Sequence, residues 1–337
     1  MTKRFTQMAG VAALSLATAA VSFADIKLND NFSVGGYVVG SVNYIESKPA
    51  TGKSTSTSKL DGDAYKFWTN ITFAPVTGTI SYYAGADGKP VVLDAYATYD
   101  AGSGVKISFG KFLSWLGYEA FDPINMTQIT YGWQTPQGFA VANIPAYHSG
   151  VKIEQGNDAY TVGVAVLDSV DPVGGIAKGD GDLKNGPGVE AYFTYKGVKN
   201  LTVFLGGYLE NDTYVDDKKT SLDLWAQYVL GDTTFAGEVS TRKDDYAAGS
   251  SDLTSNFWLV EVQQTFSKAW ALTGRISGVD TKTQSVVKKP SGTTFTIAPA
   301  VTITPNLSVV FEYSYTSYKN FAIDKGSFIA AQARFKF

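Results

Sequence analysis

From residue 32 onward the sequence repeats with a period of two. Leu222-Asp223-Leu224-Trp225-Ala226-Gln227-Tyr228 and Val189-Glu190-Ala191-Tyr192-Phe193-Thr194-Tyr195 alternate apolar with polar or mixed residues. A strand whose two faces meet different surroundings must read this way. No segment after the N-terminal stretch carries a convincing helical period of 3.6. The alternation predicts about sixteen strands at the ~9–11 residue length that crosses a bilayer. They run near 32–45, 64–74, 78–86, 90–99, 104–112, 145–155, 159–168, 187–196, 200–210, 220–230, 233–242, 256–266, 270–279, 292–303, 307–318 and 327–337. An even number returns both ends to one side of a closed barrel.

The connections alternate in character. Pro75-Val76-Thr77, Gln155-Gly156-Asn157-Asp158, Gly231-Asp232, Ser267-Lys268-Ala269 and Thr304-Pro305-Asn306 are short. The stretches 46–63, 113–144, 169–186, 211–219, 243–255, 280–291 and 319–326 are longer and mostly polar, with the loop at Asp87-Gly88-Lys89 the exception. Short turns on one side and long loops on the other are a feature of outer-membrane barrels.

Taking the more apolar parity of each segment as outward places the strand charges on the other parity. They are Lys66, Asp94, Lys106, Lys152, Glu154, Glu190, Asp223, Glu238, Glu261, Arg275, Glu312 and Arg334, with Lys111 the exception at a strand end. A Lys or Arg facing lipid at mid-membrane costs ~2–4 kcal/mol, which accounts for the segregation. A soluble sandwich also alternates, but two further features favour lipid. Outward aromatics gather near strand ends, with Tyr99, Tyr160, Tyr195, Tyr228, Phe235, Phe266 and Trp270 on the short-turn side and Tyr44, Tyr65, Tyr147 and Tyr315 on the other, as in interfacial girdles. The inward face mixes small, polar and charged residues, unlike a uniform core. The expected fold is therefore an all-β, transmembrane, antiparallel up-and-down barrel.

Composition removes other classes. There is no Cys and one His among 337 residues, so disulfides, thiolate chemistry and a multi-histidine metal site are excluded. The net charge of -3 gives no basic footprint for nucleic acid. A mean hydropathy of -0.05 argues against a bundle of membrane helices. Lys3 and Arg4, an apolar stretch from Met8 to Val21 and Ser22-Phe23-Ala24 form an export signal cleaved after Ala24. The chain is thus expected to divide into a leader, 1–24, and a barrel, 25–337, in the bacterial outer membrane.

A barrel of about sixteen strands is too wide for its own side chains to fill, so a water-filled lumen and a diffusion pore follow. The longest loop, 113–144, is apolar and aromatic, with Trp115, Tyr118, Trp133 and Phe139, and is poorly suited to open solvent. Folded inward, it would narrow the pore. In general porins the third loop forms the constriction and carries acids, which makes Glu119 and Asp122 candidates. The competing reading is that these carboxylates cap turns or pair with basic wall residues.

Leu93-Asp94-Ala95-Tyr96, Phe109-Gly110-Lys111-Phe112, Leu116-Gly117-Tyr118-Glu119, Asp122-Pro123, Asn125 and Pro145-Ala146-Tyr147-His148-Ser149-Gly150-Val151 resemble the OmpL-like outer-membrane β-barrel porins. Elsewhere the resemblance is one of strand pattern. It extends to the last strand, Ile329 to Phe337, where Phe335 and the final Phe337 resemble the signal read by the barrel assembly machinery. That family often places a Ser-Arg pair shortly after the asparagine. Met126-Thr127-Gln128-Ile129-Thr130 has no Arg, so no arginine contact and no anion selectivity are carried over. The resemblance implies a channel, and a homotrimer as is common for general porins, but no particular substrate.

The inward acids outnumber the inward bases, and Glu119 and Asp122 add to the acids, so a weak cation preference is expected. His148 and Ser149 are adjacent in a strand and point to opposite faces, so they form no nucleophile–base pair; His148 reads as a wall residue. Asp61-Gly62-Asp63, Asp168 with Asp171, and Asp180-Gly181-Asp182 match no complete calcium loop and read as turns. Lys53 to Lys59 reads as a solvated, mobile loop tip. The leading expectation is a passive channel for ions and small hydrophilic solutes, needing no metal or cofactor and partnered by outer-membrane lipid and lipopolysaccharide. The alternatives are a sugar-specific channel, in which Trp115, Tyr118, Trp133, Trp68, Tyr96 and Trp225 stack on sugar rings, and an enzyme or adhesin with a closed lumen.

Overall fold

The computed structural model describes residues 25–141, 143–170, 186–212, 217–246, 252–283 and 289–337. The leader at 1–24 and the acidic positions Asp171, Asp180 and Asp182 lie outside the described residues. The strands are β1 (Ile26–Lys27), β2 (Phe32–Pro49), β3 (Thr55–Phe73), β4 (Val76–Gly85), β5 (Val91–Gly102), β6 (Val105–Leu113), β7 (Tyr147–Gly156), β8 (Tyr160–Leu167) and β9 (Gly188–Tyr195). They continue as β10 (Leu201–Asp212), β11 (Asp217–Leu230), β12 (Thr233–Asp245), β13 (Leu253–Ser267), β14 (Trp270–Thr283), β15 (Ser291–Thr304), β16 (Leu307–Lys319) and β17 (Ile323–Lys336). Each of β2 to β17 pairs antiparallel with its neighbours, and β17 pairs back onto β2, closing the barrel. Closure leaves no free sheet edge, the condition for a β-structure to stand in lipid.

Every segment predicted from the alternation falls on one strand. The main difference lies in the first hairpin. The connection expected over 46–63 is mostly strand, since β2 runs to Pro49, β3 starts at Thr55 and the ladder extends to Ser47↔Thr55. The Ser/Thr run after Lys53 is thus ribbon rather than loop tip. Its β-branched threonines suit a strand, and its side chains are exposed on both faces. Asp61 and Asp63 also lie in β3; Asp63 accepts from Ser41 Oγ (2.7 Å) and Gln332 Nε2 (2.7 Å) inside the barrel.

The exterior is apolar. Val38, Phe67, Phe109, Ile153, Val164, Phe193, Leu222, Val260, Phe295 and Ile329 are exposed, while the polar and charged residues between them are largely buried. The aromatics expected as girdles point outward with one exception. Tyr147 is buried: the β6–β7 ladder ends at Leu113↔Tyr147, where the chain turns into the lumen, and the ring packs edge-on against Phe121 at 5.1 Å.

The barrel closes on its last residue. Gly36 N–H donates to Phe337 O (2.9 Å), and Phe337 N–H donates to Gly36 O (3.0 Å). A Cβ at Gly36 would lie 2.5 Å from the Phe337 ring and 2.8 Å from the Lys66 carbonyl oxygen, so only glycine fits. Beside this seam β1 folds back on β2 with Ile26↔Val34 and Lys27↔Ser33. Asp25 thereby reaches inward, accepting from Trp68 Nε1 (3.0 Å), Asn70 Nδ2 (2.5 Å) and Ser33 Oγ (3.2 Å).

Candidate functional site

The connection from Ser114 to Ala146 lies inside the barrel. Apart from a 3-10 turn at Pro123–Asn125 and a bridge Gln134↔Ala140, it has no regular structure among the described residues. Its backbone N–H and C=O groups therefore need partners from elsewhere. The barrel wall supplies many of them. Glu190 on β9 accepts from Trp115 N–H (2.7 Å) and the Ser114 hydroxyl (3.0 Å). Asp223 on β11 accepts from Gly117 N–H (2.8 Å), and Glu238 on β12 from Tyr118 N–H (3.1 Å). Glu261 on β13 accepts from Thr127 Oγ1 (3.0 Å). Glu312 on β16 accepts from Ile129 N–H (2.6 Å) and Thr130 N–H (2.9 Å).

Basic wall residues answer with the opposite polarity. Arg334 on β17 donates to Met126 O (2.6 Å) and Gln128 O (2.7 Å). Arg275 on β14 donates to Thr130 O (2.6 Å) and forms an ion pair with Glu119. Lys66 on β3 stands 3.2 Å from both Asp122 and Asp94. The charged wall thus grips the loop around most of its circumference: acids take loop N–H groups, and bases take loop carbonyls and carboxylates. Bonds to charged partners are the stronger kind, and burial raises the cost of leaving any of them unmade.

The two loop acids differ in setting. Glu119 has a side chain 4 % exposed and also accepts from Gln128 Nε2 (2.6 Å) and Gly132 N–H (2.6 Å). Asp122 keeps 21 % exposure and accepts from Tyr37 OH (2.9 Å) beside Lys66. Trp115 donates its indole N–H to Glu154 (3.1 Å), Tyr118 donates its hydroxyl to Gln227 (3.2 Å), and Trp133 stacks on Tyr131 at 5.1 Å. Burial pushes the Tyr118 and Tyr131 phenols well above the ordinary tyrosine range, with Glu261 the leading charge beside the first and Glu119 beside the second.

The remaining wall residues lie on the inner face. Lys152 stands 3.8 Å from Glu154 and covers the Phe112 ring at 4.6 Å; Lys106 is half-buried, in register with Asp100 and Glu154. His148 is buried edge-on to Phe112 and 3.6 Å from Glu190. Ser114 also addresses Glu190, which puts the acid, not the imidazole, in the middle. A nucleophile–base relay needs the reverse order.

Two cavities flank the loop toward the short turns. The first, about 300 Å³, lies against β3 to β5 and is strongly polar: Asp25, Asp94, Asp122, Lys66 and Lys336 line it with Asn70 and Thr79. The second, about 360 Å³, lies between the loop and β8 to β11 and is walled by aromatics. Trp115 packs on Tyr192 (4.6 Å), Tyr192 on Phe204 (5.7 Å), Phe204 on Trp225 (5.2 Å) and Trp225 on Tyr118 (5.6 Å). Sequence reasoning missed Tyr192 and Phe204, although both share the inward parity of Glu190 and Gly206 on adjacent strands. It also missed Asp25, for which a two-residue strand offers no periodic signal.

A closed sixteen-strand barrel with an oily exterior, short turns at one end and a long loop laid across a charged lumen defines an integral outer-membrane barrel of the porin type. The chain belongs to the family described as "Putative beta-barrel porin-2, OmpL-like", which matches residues 31–337. Its fold is similar to that of a loop-deletion mutant of OmpT, an outer membrane protein of Vibrio cholerae (TM-score 0.65, 15% identity, covering 91% of this chain and 99% of that one). It is also similar to an anion-selective porin from Comamonas acidovorans (TM-score 0.65, 12% identity, 91% and 99%) and to the outer membrane channel DcaP of Acinetobacter baumannii (TM-score 0.64, 15% identity, 93% and 100%). No curated protein matches the chain in sequence.

Proposed function

We propose that the protein is a passive diffusion channel for ions and small hydrophilic solutes, narrowed by the loop from Ser114 to Ala146 and weakly cation-preferring. Membership of a porin family supports a channel over an enzyme. The observation that carries the finer reading is the polar cavity beside the loop, where Asp25, Asp94 and Asp122 face Lys66 and Lys336. Carboxylates in excess over ammonium groups favour cations. Asp122 is the constriction acid best placed to act, because Glu119 is sealed against Arg275. The test is planar-bilayer conductance of refolded protein with a reversal potential in a salt gradient. A potential of the anion-preferring sign overturns the selectivity. Absence of conductance overturns the channel in favour of a closed lumen.

Export through a leader over 1–24, removed after Ala24, belongs to the same reading, as does recognition of Phe335 and Phe337 by the barrel assembly machinery. Its surroundings are outer-membrane lipid and lipopolysaccharide. It assembles as a homotrimer: a trimer form is known for OmpT of Vibrio cholerae, whose fold is similar (TM-score 0.61, 14% identity). A second reading, a channel specific for sugars, draws on the aromatic cavity.

A further inference from the structure

The outward face of the barrel turns basic beyond the girdle at the long-loop end. On β2 Lys48 follows Tyr44 on the outward parity, on β16 Lys319 follows Tyr315, and on β17 Lys325 precedes Ile329. All three lysines are exposed. Register brings them together across three adjacent strands. Lys325 is the partner of Lys48, and Ser317 is the partner of Lys325, which leaves Lys319 diagonal to Lys325, two residues further along β16.

Side chains of direct antiparallel partners stand ~4.5–5.5 Å apart at Cβ, and like charges placed there repel. Elsewhere at this end of the barrel a lysine is answered by a carboxylate: Lys243 pairs with Asp245, and Lys289 pairs with Asp280. Lys48, Lys319 and Lys325 form no ion pair and no side-chain hydrogen bond among the described residues. Glu46 and Asp324, on neighbouring positions, are half-buried and pair with none of them. Three ammonium groups therefore converge without an anion.

Their height points to the anion. Tyr44 and Tyr315 lie four residues before Lys48 and Lys319. At ~3.4 Å per residue and a strand tilt of ~35–45°, the lysine backbones stand ~10 Å beyond the girdle. Girdle aromatics mark the headgroup level, and lysine side chains reach along the surface from there. The long loops of such barrels face the outside of the cell, so this is the outer leaflet. Below the lysines the same face is apolar, with Val42, Ile329 and Tyr313 exposed.

We infer that Lys48, Lys325 and Lys319 form a binding site for a phosphate group of an outer-leaflet glycolipid. The phosphate accepts from the ammonium groups and offsets their mutual repulsion, and the acyl chains cover Val42, Ile329 and Tyr313. The inference deepens the reading that lipopolysaccharide surrounds the barrel; it rests on the outer-membrane location and not on conduction.

The experiment uses the full chain refolded in detergent and diphosphoryl lipid A as the probe, with EDTA present to remove bridging cations. Native mass spectrometry measures retained lipid, and the heat-modifiable gel band confirms folding. The parent is expected to retain lipid A. Lys48→Gln with Lys325→Gln is expected to weaken retention about tenfold, as befits loss of charge-assisted bonds. Lys243→Gln, at a lysine already paired with Asp245, is expected to stay within about twofold of the parent. If the double variant fails to fold, Lys319→Gln decides, with an expected loss of about threefold. Retention unchanged by the variant that decides, or lowered equally by Lys243→Gln, overturns the site. Equal retention of dephosphorylated lipid A overturns the phosphate as its ligand, and competition by inorganic phosphate as strong as by lipid A overturns the lipid. Retention that disappears in EDTA overturns direct lysine contact in favour of a cation bridge. Retained lipid without bilayer conductance keeps the site and removes the channel; conductance without retained lipid does the opposite.

Discussion

The Glu119 carboxylate on the loop meets the Arg275 guanidinium on β14, and the two side chains are 4 % and 1 % exposed. This pair fixes the point at which the loop crosses toward Thr130, because the same guanidinium also holds the Thr130 carbonyl. Removing one partner of a buried pair strands the other charge, at about 3–5 kcal/mol. Arg275→Met is therefore expected to lower the urea midpoint of the lipid-refolded barrel and to make single-channel current noisier. The double variant Glu119→Gln with Arg275→Met should recover much of the midpoint. A double variant no more stable than Arg275→Met would show that the pair is not what anchors the loop.

Lys66 stands between Asp94 and Asp122 at the polar cavity. Lys66→Met leaves both carboxylates without their ammonium partner. The reversal potential in a salt gradient should move further toward cation preference. At 1 M salt, where the screening length is ~3 Å, the difference from the parent should shrink. No movement at low salt would place the ion path elsewhere.

The seam at Gly36 and Phe337 admits a sharp comparison. Gly36→Ala puts a methyl group against an aromatic ring and a carbonyl oxygen, whereas a Cβ at Gly274 meets nothing within 4 Å. Gly36→Ala should reduce the heat-modifiable folded band on a gel, and Gly274→Ala should leave it at the parent level. Equal yields for the two would mean that the seam relaxes without cost.

Tyr118 and Tyr131 carry phenols raised by burial. An unfolded tyrosine ionises near pH ~10, while these two stay protonated in the folded loop. The stabilisation from keeping them neutral is complete below about pH 10 and is lost as the pH rises from there toward the folded values, because the unfolded chain then releases protons that the folded one retains. Alkaline unfolding monitored by phenolate absorbance should shift to higher pH in Tyr131→Phe. An unchanged midpoint would mean that the loop leaves the lumen before the barrel opens.

The strand positions were legible because membrane strands repeat the same two-residue decision along their whole length. β9 was expected over 187–196 and runs from Gly188 to Tyr195. The extension of β3 back to Thr55 was hidden, since exposed Ser and Thr on both faces carry no alternation. Tyr147 was placed outward by parity, which fails where a chain leaves its ladder and turns inward. The inward parity of Glu190, Asp223, Glu238, Glu261 and Glu312 could be read from sequence, but their partners could not. Glu312 and Ile129 are 183 residues apart and meet only because closure brings β16 beneath the loop. The aromatic row failed to emerge for the same reason: Tyr192, Phe204 and Trp225 are neighbours only in the register of three hairpin strands.

The grip of the wall on the loop makes the two a single heritable unit. A chimaera that imported the segment from Ser114 to Ala146 into a foreign barrel would arrive without the acids that receive its amides and the guanidiniums that receive its carbonyls. Transplanting it intact would mean moving Glu190, Asp223, Glu238, Arg275, Glu312 and Arg334 along with it, so recombination between relatives would be tolerated at hairpin tips far more readily than across this lumen.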